Sequence, residues 1–392
     1  MQETNYLHPE DCHVEDLAAT VPADFDAQWR KRMPWASDLQ RGVPIYAGDT
    51  LRDALANGHL TPRALMREWN WVWRDGPGVL AIQGAVPDAG VMDTVSAAFE
   101  TMITQGRAKG HGADHFAKPG ANDRVWNALE KLAVAAPDAF IDYYGNALLA
   151  LAFEAWLGPA YQVTSQVNCV NPGGAAQVAH RDYHLGFLTP ERAAQFPLQV
   201  HQLSPFLTLQ GAVAHVDMPL ESGPTLYLPH SQKFLHGYLA ANQSAILDYF
   251  ETHHVQLPLK KGDAVFFNPA LIHAAGNNRS TDCRRLANLL QVSSAFGRAM
   301  ETVDRVRLAT ALYPALLQRT QQGTLAPRER DAAIGASAEG YAFPTNLDTD
   351  PPRDGLAPPS QQDLVRRALQ EGWPLAQFSQ ALEQREALRQ SH

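Results

Sequence analysis

The sequence predicts a mainly β fold with flanking helices: two packed sheets, covered on one side by helices from the N-terminal half, with a further helical stretch at the C-terminus. Three observations carry this prediction. Short strand-like runs recur at Tyr161 to Val170, Phe206 to Val216, Thr225 to Leu228, Ala264 to Asn268 and Leu286 to Ser293. Turn sequences such as Glu221-Ser222-Gly223-Pro224 and Lys261-Gly262-Asp263 separate them, the pattern of a sandwich or barrel. Their apolar/polar alternation is imperfect, as expected where a second face is partly buried against another sheet.

Taken in order, residues 1–50 are mixed polar and Pro-containing and read as an irregular N-terminal arm. The main domain is expected over 51–300. Leu51 to Trp73 has helical spacing, with Thr61-Pro62 as a helix start. Trp69, Trp71 and Trp73 read as core anchors. Gly78 to Ile82 reads as a strand, and Pro87-Asp88 opens a helix to about Thr104. Residues 106–122 form a glycine-rich loop holding His111, His115 and Lys118. Asp123 to Leu157 is mostly helical with a break near Pro137, and Ala147 to Leu157 is too short to span a bilayer and reads as a buried helix. The β core is expected over about 160–296. Residues 301–392 read as a C-terminal helical extension: a helix through Leu317, a proline-rich segment over 343–360, then surface helices from Ser360 to Leu388 with a break at Trp373-Pro374. The segment from Leu185 to Pro205 is long for a connection and reads as a lid or specificity element.

Composition bounds the function. With 45% hydrophobic and 19% charged residues, the 392-residue chain can build a large core. A net charge of -9 argues against a general nucleic-acid or anionic-membrane binder, since both need a basic footprint. Cys12, Cys169 and Cys283 are too few and scattered for a disulfide framework. The first fifteen residues are polar and acidic, unlike a signal peptide. These features fit a cytoplasmic protein acting on a small molecule; monomer and homodimer both stay open.

The stretch His180-Arg181-Asp182-Tyr183-His184 places a histidine and a carboxylate two residues apart, so an extended backbone points both the same way. Downstream lies His273, after the strand Val265 to Phe267, and Arg284 follows eleven residues later. Two imidazoles and a carboxylate fill one face of an octahedral metal such as iron(II) and leave three positions open. A 2-oxo acid fills two of these and dioxygen the third. The far carboxylate of a dicarboxylate such as 2-oxoglutarate then needs a planar cationic fork, which Arg supplies and Lys does not. Such a contact contributes roughly 1.5–3 kcal/mol.

These residues resemble the phytanoyl-CoA dioxygenase family of iron(II)/2-oxoglutarate oxygenases, over roughly Gly78 to Phe296. His180 to His184 is similar to the family's His-x-Asp segment. Ser222 to Pro229 is similar to its Asn-Gly-x-Leu-x-x-x-Pro run, and Gly262-Asp263 through His273 to Arg284 to its distal-His and oxoglutarate-Arg segment. The chain departs where the family follows its Pro with Gly-Ser-His, having Pro229-His230-Ser231-Gln232 instead. The resemblance implies a double-stranded β-helix (jelly-roll, cupin-like) core. It implies iron(II) on His180, Asp182 and His273, and the distal carboxylate of 2-oxoglutarate on Arg284, with dioxygen consumed and ascorbate assisting in vitro. Strand alternation lets only one of Arg284 and Arg285 point inward, and the family spacing favours Arg284.

Other residues carry paired readings. Gln166 and Asn168 share a face of one strand; one of them bonds the C1 carboxylate of 2-oxoglutarate or simply satisfies backbone. Thr225 and Tyr227 lie on a core strand, where Tyr227 reaches the co-substrate or fills the core. His184 and Tyr183 belong to the substrate pocket or to packing. Lys118 reads more readily as a solvated loop residue than as a ligand contact. His201, His253 and His254 read as surface residues. Catalysis is metal-centred, with no separate acid or base. The reaction expected is hydroxylation of an unactivated C–H bond, with release of succinate and carbon dioxide. Desaturation or epimerisation on the same scaffold, and a binding protein without turnover, are the alternatives. A halogenase is disfavoured because Asp182 fills the position that chloride needs.

Overall fold

The structure is a computed structural model describing residues 5–22, 25–109, 120–352 and 355–391. Eleven strands are present among them: β1 Asp38–Gln40, β2 Val43–Ala47, β3 Val79–Gln83, β4 Asn122–Val125, β5 Gln162–Val170, β6 Thr208–Ala214, β7 Leu226–Tyr227, β8 Val255–Gln256, β9 Ala264–Phe267, β10 His273–Ala274 and β11 Arg285–Ser293. They form an eight-stranded sheet of order β1-β2-β3-β9-β6-β11-β5-β4 and a three-stranded sheet of order β10-β7-β8. Isolated bridges His180↔His273 and Met218↔Leu259 extend the small sheet. Only the β2–β3 pair is parallel; the other described pairs are antiparallel. A large and a small sheet facing each other is the expected jelly-roll core.

The two faces of the large sheet differ because side chains alternate across it. Its outer face carries Leu80, Leu209, Phe266, Leu286, Leu290 and Val292, all buried in the main core. Helices cover that face. The helix Pro62–Arg74 is capped by Thr61 and buries Trp69 and Trp73; Trp71 is only partly buried. Asp88 caps Ala89–Ala108, and Ala147–Leu157 is buried as its apolar run requires. The inner face divides. At β2, β3 and β9, Ile45, Val79, Val265 and Phe267 pack against Tyr227 and Leu271. Toward β6, β11, β5 and β4 it is polar and lines an open cavity.

Several expectations are corrected. Residues 1–50 are not irregular throughout: β2 joins the large sheet beside β3, and Val43, Ile45 and Tyr46 are buried. Residues 122–125 are a strand on β5, not the start of a helix. The last two helices, Gln361–Glu371 and Leu375–Leu388, are not merely superficial. Their Leu364, Val365, Ala368, Phe378 and Leu382 enter the main core beside the helix Arg305–Gln322. The Ser360 cap and the break at Trp373-Pro374 lie where the sequence places them. His201 is buried, 3% exposed, with Nε2 on the Ala193 carbonyl. The three thiols are unbridged, and no helix among the described residues is long and apolar enough to cross a membrane.

Candidate metal centre

The site is built where the chain after β5 is paired against β10. His180 N–H donates to the His273 carbonyl at 2.9 Å, and His273 N–H returns the bond at 3.0 Å. Asp182, two residues on, is fixed by its N–H on Pro269 O at 3.2 Å. This backbone pairing brings together residues far apart in sequence. Asp182 Oδ1 lies 3.6 Å from His180 Nε2, and Oδ2 lies 3.5 Å from His273 Nε2. One ligand atom from each residue lies within 4.8 Å of the others. Among the described residues, this is the one such group of three His, Cys, Asp or Glu side chains.

The donor set is prepared for a cation. His180 Nδ1 is 2.8 Å from Val178 O and His273 Nδ1 is 2.9 Å from Leu271 O. A carbonyl only accepts, so each Nδ1 carries the hydrogen and each Nε2 presents its lone pair to the centre. Burial, reinforced by the neighbouring His273, lowers the His180 pKa and favours the neutral imidazole that binds metal. Burial alone would raise the Asp182 carboxyl, but the adjoining His273 and His180 rings and the Gln210 amide hold it well below the usual carboxylate range. Gln210 Nε2 donates to Asp182 Oδ2 at 2.6 Å. Residues of this kind, with the open side facing a cavity, fit a divalent transition metal.

That cavity has a volume of about 570 Å³. Strand register decides what enters it. On β11, Ala287 is opposite Asn168, Leu289 opposite Gln166 and Ala212, and Gln291 opposite Gln210, so the odd-numbered side chains face inward. Arg285 is in that set. It is 7% exposed, lines the cavity, and donates from Nη1 to Ser222 O at 3.2 Å. Burial lowers its pKa to about 10. Arg284 has the opposite phase. It points to the outside, with Nη1 on Glu100 Oε1 at 2.9 Å and Nε on Asn171 Oδ1 at 3.4 Å. The sequence expectation of Arg284 as the inward arginine is therefore corrected to Arg285, one residue beyond the family spacing.

Gln166, Asn168, Thr225 and Tyr227 all line the cavity. Gln166 Oε1 accepts from Arg124 Nη1 at 3.0 Å. Asn168 Oδ1 is buried without a hydrogen-bond partner among the described residues. Tyr227 packs edge-on to Phe267, ring centroids 5.3 Å apart, opposite His273 in the small sheet. His184 does not line the cavity: its Nδ1 is 3.0 Å from Ser204 Oγ. Tyr183 is 2% exposed and donates to Met300 Sδ at 3.4 Å, so it touches the cavity wall from behind. Both residues have positive φ, 63° and 45°. Positive φ at Tyr183 breaks the extended run, and the two-residue alternation that would have aligned His184 with His180 and Asp182 stops there. Lys118, with His111 and His115, lies outside the described residues. The sequence reading missed Gln210, Gln291 and Arg124, and set Arg285 aside in favour of Arg284. Alternation alone marks these as inward-facing only once the register is known.

A family profile for phytanoyl-CoA dioxygenase matches residues 75–286, just over half the chain, and includes His180, Asp182 and His273. The chain belongs to the phytanoyl-CoA dioxygenase family. No curated protein matches it. Solved structures similar to this family member include the non-heme alpha ketoglutarate dependent carbocyclase SnoK from nogalamycin biosynthesis, at 19% identity and TM-score 0.44, covering 72% of this chain and 96% of that one. The alpha ketoglutarate dependent epimerase SnoN from the same biosynthesis is 20% identical, with TM-score 0.43 and coverage of 59% and 84%. HygX from Streptomyces hygroscopicus, solved with nickel, 2-oxoglutarate and hygromycin B, is 15% identical, with TM-score 0.45 and coverage of 61% and 91%.

Proposed function

We propose that the protein is an iron(II)- and 2-oxoglutarate-dependent oxygenase that hydroxylates a C–H bond of a small organic substrate. The observation that carries this is the pair of Nε2 lone pairs and one carboxylate around a single point in a cavity that also contains a buried arginine. Iron(II) held there with 2-oxoglutarate supplies the activation of dioxygen, with release of succinate and carbon dioxide and oxidation of the substrate.

The chain's own residues do the rest. His180, Asp182 and His273 hold the metal, with tautomers set by Val178 O and Leu271 O. Gln210 donates to Asp182 Oδ2 and so fixes the carboxylate that would hold the metal beside the two histidines. Arg285 takes the distal carboxylate of 2-oxoglutarate, with Thr225 and Tyr227 lining the same cavity. Asn168 offers its side-chain amide to the C1 carboxylate. Val178, Phe187, Met218 and Met300 give the substrate apolar contacts and exclude water.

The test is succinate release from 2-oxoglutarate with iron(II) and ascorbate, followed by mass analysis of the stimulating substrate. A product that gains one oxygen atom supports hydroxylation. A product of unchanged mass, or one lighter by two hydrogens, assigns the site to epimerisation or desaturation instead. Asp182→Ala is expected to lose both metal binding and succinate release. Full oxoglutarate decarboxylation by Asp182→Ala would sink the ligand assignment.

A further inference from the structure

Between the ligands His180 and Asp182 stands Arg181, whose side chain leaves the segment on the other side and is 3% exposed. Its Nη2 donates to Ser231 O at 2.5 Å and to Phe234 O at 2.7 Å. Its guanidinium lies 5.2 Å from the Tyr238 ring centroid. A Cβ added at Gly237 would overlap the guanidinium, so this glycine is a close-approach site. Among the described residues no carboxylate is within ion-pairing distance of Arg181.

Ser231 continues the connection. Its Oγ accepts the N–H of Ile272, the residue before His273, at 2.8 Å. Ile272 O in turn accepts the Leu228 N–H at 2.9 Å. A chain of hydrogen bonds thus runs from the His180–Asp182 segment through the 228–234 loop to His273, behind the metal centre. It passes through Ser231, which keeps the family's serine between the two departures at His230 and Gln232. Burying a guanidinium without an anion is costly, and an apolar side chain of similar volume usually serves stability as well or better. What the guanidinium provides that an apolar side chain lacks is donors in a fixed planar geometry.

We propose that Arg181 is a positioning residue for the metal centre: it sets the placement of the His180–Asp182 segment relative to His273 by clamping both to the 228–234 loop. The inference rests on the reading of His180, Asp182 and His273 as metal ligands. Metal sites depend on their ligands being held to about half an ångström, which is what such a clamp supplies.

The test uses the full-length protein and cobalt(II) as the probe, with affinity and visible absorption read by titration. Wild type is compared with Arg181→Met, Arg181→Lys, Gly237→Ala and His273→Ala. Arg181→Met and Gly237→Ala are expected to raise the cobalt Kd about 10- to 100-fold. They are expected to alter the cobalt band while the metal-free melting temperature stays near wild type. Arg181→Lys should recover part of the affinity. Should Arg181→Met fail to fold, Gly237→Ala, which displaces the guanidinium and retains it, decides alone. Wild-type affinity and an unchanged band in the variants would overturn the proposal. So would affinity losses that simply follow losses of melting temperature. If wild type binds no cobalt, or His273→Ala binds it equally well, the ligand assignment itself fails, and the proposal falls with it.

Discussion

The choice between two neighbouring arginines gives the sharpest quantitative prediction. Arg285 is buried and faces the cavity, whereas Arg284 and its partner Glu100 are 41% and 39% exposed. A charge-assisted contact to a carboxylate is worth roughly 1.5–3 kcal/mol, and about 1.4 kcal/mol is a tenfold change in affinity. Arg285→Leu should therefore weaken 2-oxoglutarate binding by roughly 10- to 150-fold. Arg285→Lys keeps the charge and loses the fork, and should fall between. Arg284→Ala removes an exposed ion pair worth about 0–1 kcal/mol of stability and should leave 2-oxoglutarate affinity unchanged. The assay is anaerobic titration of the iron(II)-loaded protein with 2-oxoglutarate, read by visible absorption. Normal binding by Arg285→Leu together with weakened binding by Arg284→Ala would refute the reasoning from strand phase.

Three further outcomes are expected. Gln210→Leu removes the 2.6 Å bond to Asp182 and should weaken metal binding about 10- to 100-fold by calorimetry; an unchanged Kd would mean Asp182 needs no such support. Burial raises the Glu68 carboxyl to about 7 against hydrogen bonds from Tyr46 and Trp35 that lower it, so the folded state keeps this proton when the unfolded chain, near 4.5, has lost it. Its stability contribution is intact below about 4.5 and declines as pH rises to about 7, so Glu68→Gln should match wild type in acid and exceed it by up to about 3 kcal/mol at pH 8 in urea melts. A gain of the same size at both pH values would show that the proton on Glu68 is not responsible. Phe378 is fully buried and stacks on Tyr313 with ring centroids 4.0 Å apart, so Phe378→Ala should cost about 3–5 kcal/mol of global stability. An unshifted unfolding midpoint would mean the C-terminal helices fold apart from the core.

The linkage between Arg181, Ser231 and Ile272 passes through the Pro229-His230-Ser231-Gln232 stretch, which keeps the family's serine and departs from it at His230 and Gln232. Ser231 holds both the guanidinium and Ile272, the residue before His273. His230 is buried with positive φ, and its N–H donates to Pro77 O at 2.8 Å. The loop is thus fixed to the chain entering β3 as well as to the ligand segment.

The sequence by itself determined the chemistry of the centre and most of the regular elements. Thr61, Asp88 and Ser360 cap helices where local sequence predicts them, because capping depends on residues within one turn. His180 and Asp182 share a direction because an extended backbone repeats every two residues, and that too is local. Only the tertiary structure decided which arginine faces inward, that Gln210 supports Asp182, and that His184 turns away to Ser204. A strand's own sequence gives its alternation but not the phase of that alternation relative to a cavity. The phase comes from register with β5 and β6, strands distant along the chain, and a one-residue slip exchanges Arg284 for Arg285.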